Sequence, residues 1–184
     1  MRTVLIIHGI GGHAGIHWQQ WLSNALTAKN YHVIMPNLPS PNQPDRKTWL
    51  TEINKALEGV ELADLVLVGH SLGATTALDF VEQTTHKVNG LITVSGFAKD
   101  YGSELNAYFL NEKSINFEKV KNNISWSKVV YGDNDPYVTQ EALKYVSDGL
   151  SVEPVILPNG GHLNSEAGYT ELPLLVDILE SSTA

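Results

Sequence analysis

The amino-acid sequence predicts an open, doubly wound sheet of parallel β-strands with helices packed on both faces. Its apolar runs are short and rich in β-branched residues, and they are apolar on both faces, which is typical of parallel strands covered from each side. The segments between these runs carry apolar residues at helical spacing. Strand and helix alternate six times along the chain. The predicted strands cover residues 4–7, 33–35, 65–68, 91–94, 129–131 and 155–157.

Amphipathic helices are predicted between the strands, because apolar side chains recur on one helical face while polar side chains lie opposite. A candidate capping residue, Thr139, precedes the fourth of the helices given below, and Pro173 is tolerated in the first turn of the last one. In the first helix the apolar face consists of Trp18, Trp21, Leu22, Ala25 and Leu26. The predicted helices lie around residues 18–26, 49–57, 74–78, 143–150 and 172–179.

Two segments do not fit this alternation. Residues 36–44 contain four prolines and are predicted to form a stiff, extended surface loop. Residues 97–123 separate two strands by more than a crossover helix needs. They form either one or two short helices that make a small lid over the strand ends, or a longer crossover helix that only packs on the sheet. The chain of 184 residues is predicted to be one domain, residues 1–184, with this segment as the candidate lid.

Composition argues against several classes of function. The net charge of −8 argues against nucleic acid or an anionic membrane as a partner, because both demand a basic face. The absence of cysteine excludes disulfides, thiolate metal sites and a cysteine nucleophile. No apolar run approaches the roughly 18 residues that span a bilayer. Residues 1–7 are predicted to be a first strand rather than a signal peptide, so we expect a cytoplasmic protein.

A G-x-S-x-G pattern, Gly69-His70-Ser71-Leu72-Gly73, follows a predicted strand and precedes a helical stretch. In that setting the pattern is typical of a nucleophile elbow, a sharp turn that leaves the serine hydroxyl above the end of a strand. The turn is so tight that side chains at positions 69 and 73 would collide with neighbouring backbone. We therefore expect Ser71 to be a nucleophile near the positive end of the following helix.

A nucleophilic serine needs a base that takes its proton, and His162 is the candidate base. This histidine follows the last predicted strand on a glycine-rich loop. Of the seven histidines, it is the only one after Ser71 at a strand end, whereas His86 lies at a polar helix end. His70, next to the nucleophile, is expected to point away from it and to be structural.

The base needs an orienting acid, and the oxyanion needs hydrogen-bond donors. Asp133 and Asp135 both follow the fifth predicted strand, and we favour Asp135 because the next residue, a proline, fixes its direction. The other aspartate is expected to cap the turn by bonding nearby backbone N–H groups. The candidate oxyanion donors are the backbone N–H groups of Leu72 and Ile10. The chain order of serine, aspartate and histidine is that of α/β-hydrolases.

No cofactor is predicted for this chain. The glycine-rich run at residues 9–12 suggests a nucleotide loop, but Ala14 stands where G-x-G-x-x-G has its third glycine, and no P-loop pattern occurs. His8, His13 and His17 lack the carboxylate pattern of a metal site. We expect the first of these histidines to brace its loop and the other two to be exposed at a helix start.

Seven motifs stand in a fixed order along nearly the whole chain. They are His8-Gly9-Ile10-Gly11-Gly12, Trp18-x-x-Trp21-Leu22, Pro36-Asn37-Leu38-Pro39, Trp49, Gly69-His70-Ser71-Leu72-Gly73, Asp133-Asn134-Asp135-Pro136 and Gly161-His162. Together they resemble the small serine hydrolases of the retinoblastoma-binding protein nine (YdeN-like) family. The resemblance implies a compact α/β-hydrolase fold, a minimal three-layer sandwich with about six parallel strands and a short lid. It also implies a triad of Ser71, Asp135 and His162, with Ile10 and Leu72 as oxyanion donors.

We therefore expect a cofactor-independent serine hydrolase, a carboxylesterase that acts on small esters through an acyl-enzyme. Its expected partner is a small-molecule ester or acyl substrate. Two alternatives stay open. One is a hydrolase-shaped module that binds a protein partner and has negligible activity, since a fold does not dictate function. The other is a thioesterase or amidase at the same site, because residue types alone do not separate these acyl chemistries.

Overall fold

Six parallel strands form one open sheet in the computed structural model, which describes residues 1–182. The strands are β1 (Thr3–Ile7), β2 (His32–Ile34), β3 (Leu65–His70), β4 (Val88–Val94), β5 (Ile124–Gly132) and β6 (Val155–Leu157). Their order across the sheet is β2-β1-β3-β4-β5-β6, and every neighbouring pair is parallel. This arrangement confirms the predicted open parallel sheet.

Seven α-helices accompany these strands in residues 1–182. They are α1 (Gln19–Thr27), α2 (Arg46–Ala56), α3 (Leu72–Gln83), α4 (Ala107–Leu110), α5 (Phe117–Asn122), α6 (Gln140–Leu150) and α7 (Pro173–Ser181). Short 3₁₀ turns occur at Leu62–Asp64 and Ser165–Ala167. Over the same described range, no helix combines the length and the apolar character that crossing a bilayer requires.

The strand order creates a topological switch point between β1 and β3. After β1 the chain adds β2 on one side, and it then crosses back so that all later strands are added on the other side. The helices that follow β1 and β3 therefore cover opposite faces of the sheet, and a crevice opens between the two strand ends. Ligands of open α/β sheets bind at such a crevice.

Three layers make up the fold. α1 and α7 cover one face of the sheet, and α2, α3, α5 and α6 cover the other face. The side chains of β1 alternate between the two cores, as a strand requires. Leu5 and Ile7 pack with α2 and α3, whereas Val4 and Ile6 pack with α1 and α7, and all four are fully buried.

Local capping signals set where several helices begin. The side chain of Asp45 accepts a hydrogen bond of 2.7 Å from the backbone N–H of Thr48 and caps α2. Thr139 caps α6 as predicted, because its hydroxyl accepts a hydrogen bond of 3.2 Å from the N–H of Ala142. Pro173 stands in the first turn of α7, where the missing N–H costs no intrahelical bond.

Residues 97–123 divide into two parts with different positions. α5 packs against α3 and α6, and its Val120 is fully buried, so this part is a crossover helix. By contrast, Tyr101, Ser103, Leu105 and Asn106 border the large cleft at the strand ends. The segment therefore contains two short helices rather than one longer crossover helix, and a lid over the strand ends stays a prediction.

A buried ion pair ties α2 and α3 to the end of α4. The guanidinium of Arg46 donates two hydrogen bonds to the carboxylate of Asp79, at 2.7 and 2.9 Å, and both side chains are at most 3% exposed. Its third nitrogen donates to the carbonyl oxygens of Phe109, Leu110 and Lys113 at 2.8–3.3 Å. Because a buried charge is tolerated only with such partners, this pair fixes where the segment after α4 lies.

Removing the carboxylate of this pair is expected to destabilise the fold strongly. Asp79→Ala leaves the buried guanidinium of Arg46 with carbonyl partners only, so we expect the free energy of unfolding to fall by about 3–5 kcal/mol. Urea denaturation measures this change. The matched control is Asp148→Ala, which removes an exposed pair with Lys144 and should cost less than about 0.5 kcal/mol. Equal losses in the two variants would contradict this interpretation of Arg46 and Asp79.

Candidate active site

Ser71 lies in a strained turn between β3 and α3. Its φ of 56° and ψ of −124° lie in a region that favours glycine, and such strain is typical of functional residues. The glycines on either side allow the turn. A Cβ at Gly69 would lie 2.6 Å from the Cα of Ala74, and a Cβ at Gly73 would lie 2.6 Å from the carbonyl oxygen of His8. The predicted collisions at both positions are therefore present in the structure.

The imidazole of His162 lies between the serine and an aspartate. Its Nε2 is 3.0 Å from Oγ of Ser71, and its Nδ1 is 2.7 Å from Oδ2 of Asp135. A carboxylate only accepts hydrogen bonds, so the ring proton lies on Nδ1 and the Nε2 lone pair faces the hydroxyl. The structure thus brings together the three side chains that the sequence predicts as nucleophile, base and acid.

The carboxylate of Asp135 is held rigidly and has no solvent contact. Its Oδ1 accepts hydrogen bonds from the backbone N–H groups of Tyr137 at 2.9 Å and Val138 at 3.0 Å. Its side chain is 0% exposed. Both oxygens therefore have partners, and Oδ2 is aimed at His162. The ring of Tyr137 packs edge-on against the imidazole at 5.4 Å, which further restricts the ring.

Asp133 and its neighbour hold the loop that carries His162. Oδ1 of Asp133 accepts a hydrogen bond of 2.8 Å from the N–H of Asn159, and Oδ1 of Asn134 accepts one of the same length from Gly161. Asp133 was expected to cap its own turn, but the N–H group that it binds belongs to the loop after β6. The reason is that β5 and β6 are parallel neighbours, so their following loops meet at one edge of the sheet.

The backbone of His162 is fixed by two donors that lie beside the nucleophile. Nε2 of His70 and Oγ of Ser95 each donate a hydrogen bond of 3.0 Å to the carbonyl oxygen of His162. Burial, and then the charge of His162, lower the pKa of His70 well below its ordinary value. The structural role expected of His70 agrees with this contact, whereas Ser95 was not predicted. The one local signal for Ser95 is its position directly after β4.

The loop after β1 lies in close contact with Ser71 and is hydrogen-bonded to the proline-rich loop. A Cβ at Gly9 would lie 3.0 Å from the Cβ of Ser71, so only glycine fits without displacing the nucleophile. Nε2 of His8 accepts a hydrogen bond of 3.0 Å from the N–H of Leu38, in the proline-rich loop, and its Nδ1 donates to the carbonyl oxygen of Gly9. Leu38 is buried, so this proline-rich segment is not purely a surface loop as predicted.

The backbone N–H groups of Ile10 and Leu72 are free to bind an anion. Within the described residues, neither donates a hydrogen bond to another protein atom. Leu72 is the first residue of α3, where N–H groups lack intrahelical acceptors and the helix dipole favours negative charge. Ile10 lines the same cleft as Ser71, and Leu72 follows Ser71 directly in the chain, so their role as oxyanion donors stays a prediction.

A cleft of about 530 Å³ opens in front of Ser71. Among its lining residues in the described part of the chain, Glu166 is the only acidic residue and none is lysine or arginine. The hydroxyl of Tyr137 donates a hydrogen bond to Glu166 at the cleft. The lining residues are Gly9, Ile10, Gly11, Gly12, Ile16, His17, His70, Ser71, Tyr101, Ser103, Leu105, Asn106, Tyr137, Val138, His162, Asn164 and Glu166.

The three early histidines have separate surroundings. His8 braces its loop as expected, and His13 is exposed, but His17 is half-buried and lines the cleft, so its predicted exposure is wrong. Burial, and then the charges of His162 and His13, lower the pKa of His17. From residue 1 to residue 182, no three side chains among histidines and carboxylates come together in a way that would hold a metal ion.

Comparisons with known proteins give this chain relatives over nearly its whole length. The family model described as serine hydrolase matches residues 4–181. YdeN of Bacillus subtilis is 29% identical over 98% of this chain and 95% of its own length. The serine hydrolase RBBP9 of Rattus norvegicus is 26% identical over 98% of this chain and 94% of its own length. The resemblance inferred from the motifs is thereby confirmed.

Solved structures agree on the fold. The crystal structure of the YdeN product superposes with a TM-score of 0.92 at 28% identity and covers 100% of this chain and 99% of that one. A structure from work on carboxylesterases of Nitrososphaera gargenis gives a TM-score of 0.72 at 14% identity, over 99% of this chain and 91% of the other. At that low identity the second likeness shows the fold alone.

Burial of a neutral His70 predicts how stability depends on pH. The unfolded chain takes up this proton near the ordinary pKa of 6.5, whereas the folded protein does so only at much lower pH. The free energy of unfolding is therefore largest above pH 6.5 and falls below it, by up to about 1.4 kcal/mol per pH unit for one group. His70→Gln keeps an N–H donor but cannot titrate, so we expect a shallower loss.

Urea denaturation of both proteins from neutral pH down to about pH 4.5 measures this slope. The matched control is His86→Gln, which changes an exposed histidine and should keep the wild-type slope. If the His70→Gln protein loses stability as steeply as the wild type, His70 does not titrate in the way proposed.

Proposed function

Because the chain belongs to the serine hydrolase family, we propose that it hydrolyses small carboxylic esters without a cofactor, through an acyl-enzyme on Ser71. His162 is the general base and Asp135 orients it. The observation that carries this proposal is the continuous line of hydrogen bonds from the Ser71 hydroxyl through the imidazole to the carboxylate, at 3.0 and 2.7 Å. These lengths match those of a nucleophile and base in contact.

The proposed first step is attack by Oγ of Ser71 on the ester carbonyl carbon while Nε2 of His162 takes the hydroxyl proton. The carbonyl oxygen becomes an oxyanion, which the N–H groups of Ile10 and Leu72 stabilise by hydrogen bonds. The imidazolium then donates its proton to the leaving alcohol, and the acyl group stays on the serine. Water, activated by the same imidazole, attacks the acyl-enzyme and releases the carboxylic acid.

The buried carboxylate of Asp135 has two roles in this scheme. It holds the imidazole in the tautomer whose Nε2 accepts the serine proton, and its charge stabilises the imidazolium that forms. It does not take the proton itself. Its solvent-free surroundings support this role, because an ion pair is stronger where water does not screen it.

The residues that line the cleft favour uncharged substrates over anionic ones. Apolar side chains, among them Ile10, Ile16, Leu105 and Val138, form much of its wall. In the described part of the chain, the lining residues include no lysine or arginine that would pair with an anionic substrate, and Glu166 would repel one. The volume of about 530 Å³ is within the range of small-molecule sites. Neutral esters with short or medium acyl chains fit these properties, and the carboxylesterase named above shares the fold.

Hydrolysis of short p-nitrophenyl esters and labelling by a fluorophosphonate test the nucleophile. We expect the wild type to do both, and Ser71→Ala to remain folded while its turnover falls by about 10⁴-fold or more, because the attacking hydroxyl is gone. Labelling should also disappear. Persistent labelling of the Ser71→Ala variant at another residue would refute the assignment, and so would a wild type that neither turns over esters nor reacts with the probe.

The two neighbouring aspartates provide a matched test of the acid. Asp135→Asn replaces the carboxylate that faces His162 and favours the wrong tautomer, so we expect kcat to fall by about 10³–10⁴-fold. Asp133→Asn keeps an oxygen acceptor for the N–H of Asn159 and should retain a near-wild-type rate. Steady-state kinetics on p-nitrophenyl butyrate separates the two. Equal losses, or a loss only in Asp133→Asn, would show that the acid is misassigned.

A further inference from the structure

We propose that His17 is a positioning residue for the catalytic base: its Nδ1 accepts hydrogen bonds from Ser165 and so holds the loop that carries His162 in register with Ser71. This inference rests on the proposed function above. His17 was expected only to be exposed at a helix start, and the serine hydrolysis scheme does not use it.

The contact between His17 and Ser165 fixes the protonation of the ring. Nδ1 of His17 lies 3.1 Å from the backbone nitrogen and 3.0 Å from the hydroxyl oxygen of Ser165. A backbone N–H only donates, so Nδ1 is the acceptor and the ring proton lies on Nε2. The lowered pKa of His17, caused first by burial, favours this neutral form. The two residues are 148 positions apart in sequence, so the contact joins separate loops.

Two residues that directly precede α1 hold the loop that carries His162, residues 158–165, at two points; this segment is called the base loop below. Besides the contact of His17 with Ser165, Nε1 of Trp18 donates a hydrogen bond of 2.9 Å to the carbonyl oxygen of Leu163. These two anchored residues come one and three positions after His162. The ring of His17 also packs edge-on against His70 at 5.4 Å, and His70 is itself hydrogen-bonded to the carbonyl oxygen of His162.

The base loop needs such anchors because its backbone is strained. Gly161 has a φ of 56° and Leu163 has a φ of 48°, so His162 is flanked by two residues in the left-handed region. That region is unfavourable for leucine, and such a conformation persists only where surrounding contacts impose it. If the loop relaxed, the imidazole would rotate and its 3.0 Å contact with Ser71 would lengthen. A displacement of about 1 Å is enough to cost about 10²-fold in rate.

His17 also stands in a strained conformation of its own, with a φ of 58°. Asparagine tolerates this region better than most residues. Its Oδ1 takes roughly the place of the histidine Nδ1, so it can accept the hydrogen bond from Ser165, but it has no counterpart of the Nε2–H group. His17→Ala therefore removes the anchoring acceptor, and His17→Asn keeps an acceptor while it removes the rest of the ring.

The experiment compares wild type, His17→Ala, His17→Asn and the control His13→Ala, an exposed residue of the same loop. The readouts are kcat and KM on p-nitrophenyl butyrate, the rate of fluorophosphonate labelling, and urea denaturation. We expect His17→Ala to lower kcat and the labelling rate by about ten- to a hundredfold with little change in KM. His17→Asn should restore both rates most of the way, and the control should match the wild type.

Each outcome decides the question. An unchanged kcat in a folded His17→Ala protein would overturn the proposal, even if its stability falls. A His17→Asn protein as slow as His17→Ala, with a raised KM, would also overturn it, because Nε2–H would then contact substrate directly. His17→Gly, which removes the acceptor without backbone strain, replaces His17→Ala if that variant does not fold. An inactive, unlabelled wild type would refute the proposed function itself and this inference with it.

Discussion

The contact between Nε2 of His162 and the hydroxyl of Ser71 is the constraint that the surrounding structure serves to maintain. It joins two loops that are 91 positions apart in sequence. Neither loop is regular structure, and both contain residues in the left-handed region. The contact therefore depends on rigid attachments, which come from β3, β4, β5 and the start of α1. Asp135 aims the ring, while His70 and Ser95 hold the backbone behind it.

The sheet topology explains why these groups meet. Parallel strands send all their carboxyl ends to one edge, and the switch point between β1 and β3 leaves a crevice between the loop of Gly9 and Ile10 and the elbow at Ser71. Stability is concentrated elsewhere, in two cores of aliphatic and aromatic side chains and in the buried pair of Arg46 and Asp79. This separation lets the strained site persist, because the rest of the fold holds its loops in place.

Local patterns were enough to predict the six strands and to single out the three side chains, of Ser71, Asp135 and His162, that the structure brings together. Short apolar runs mark β-strands that are covered on both faces, and the G-x-S-x-G turn has steric requirements that can be recognised in sequence. The prediction for β5 missed its first five residues, because exposed Ser125 and Lys128 interrupt the apolar pattern there. The roles of Ser95, Asp133 and His17 were also missed. Each depends on hydrogen bonds to a distant loop, and no local pattern encodes such a partner.

The most direct measurement is detection of the acyl-enzyme. Protein mixed with p-nitrophenyl butyrate and quenched in acid during turnover is examined by intact mass spectrometry and peptide mapping. We expect one butyryl group on the peptide that contains Ser71 in the wild type, and none on that peptide in Ser71→Ala. Turnover with no acylated protein, or with the acyl group on a peptide lacking Ser71, would contradict a serine nucleophile at this position.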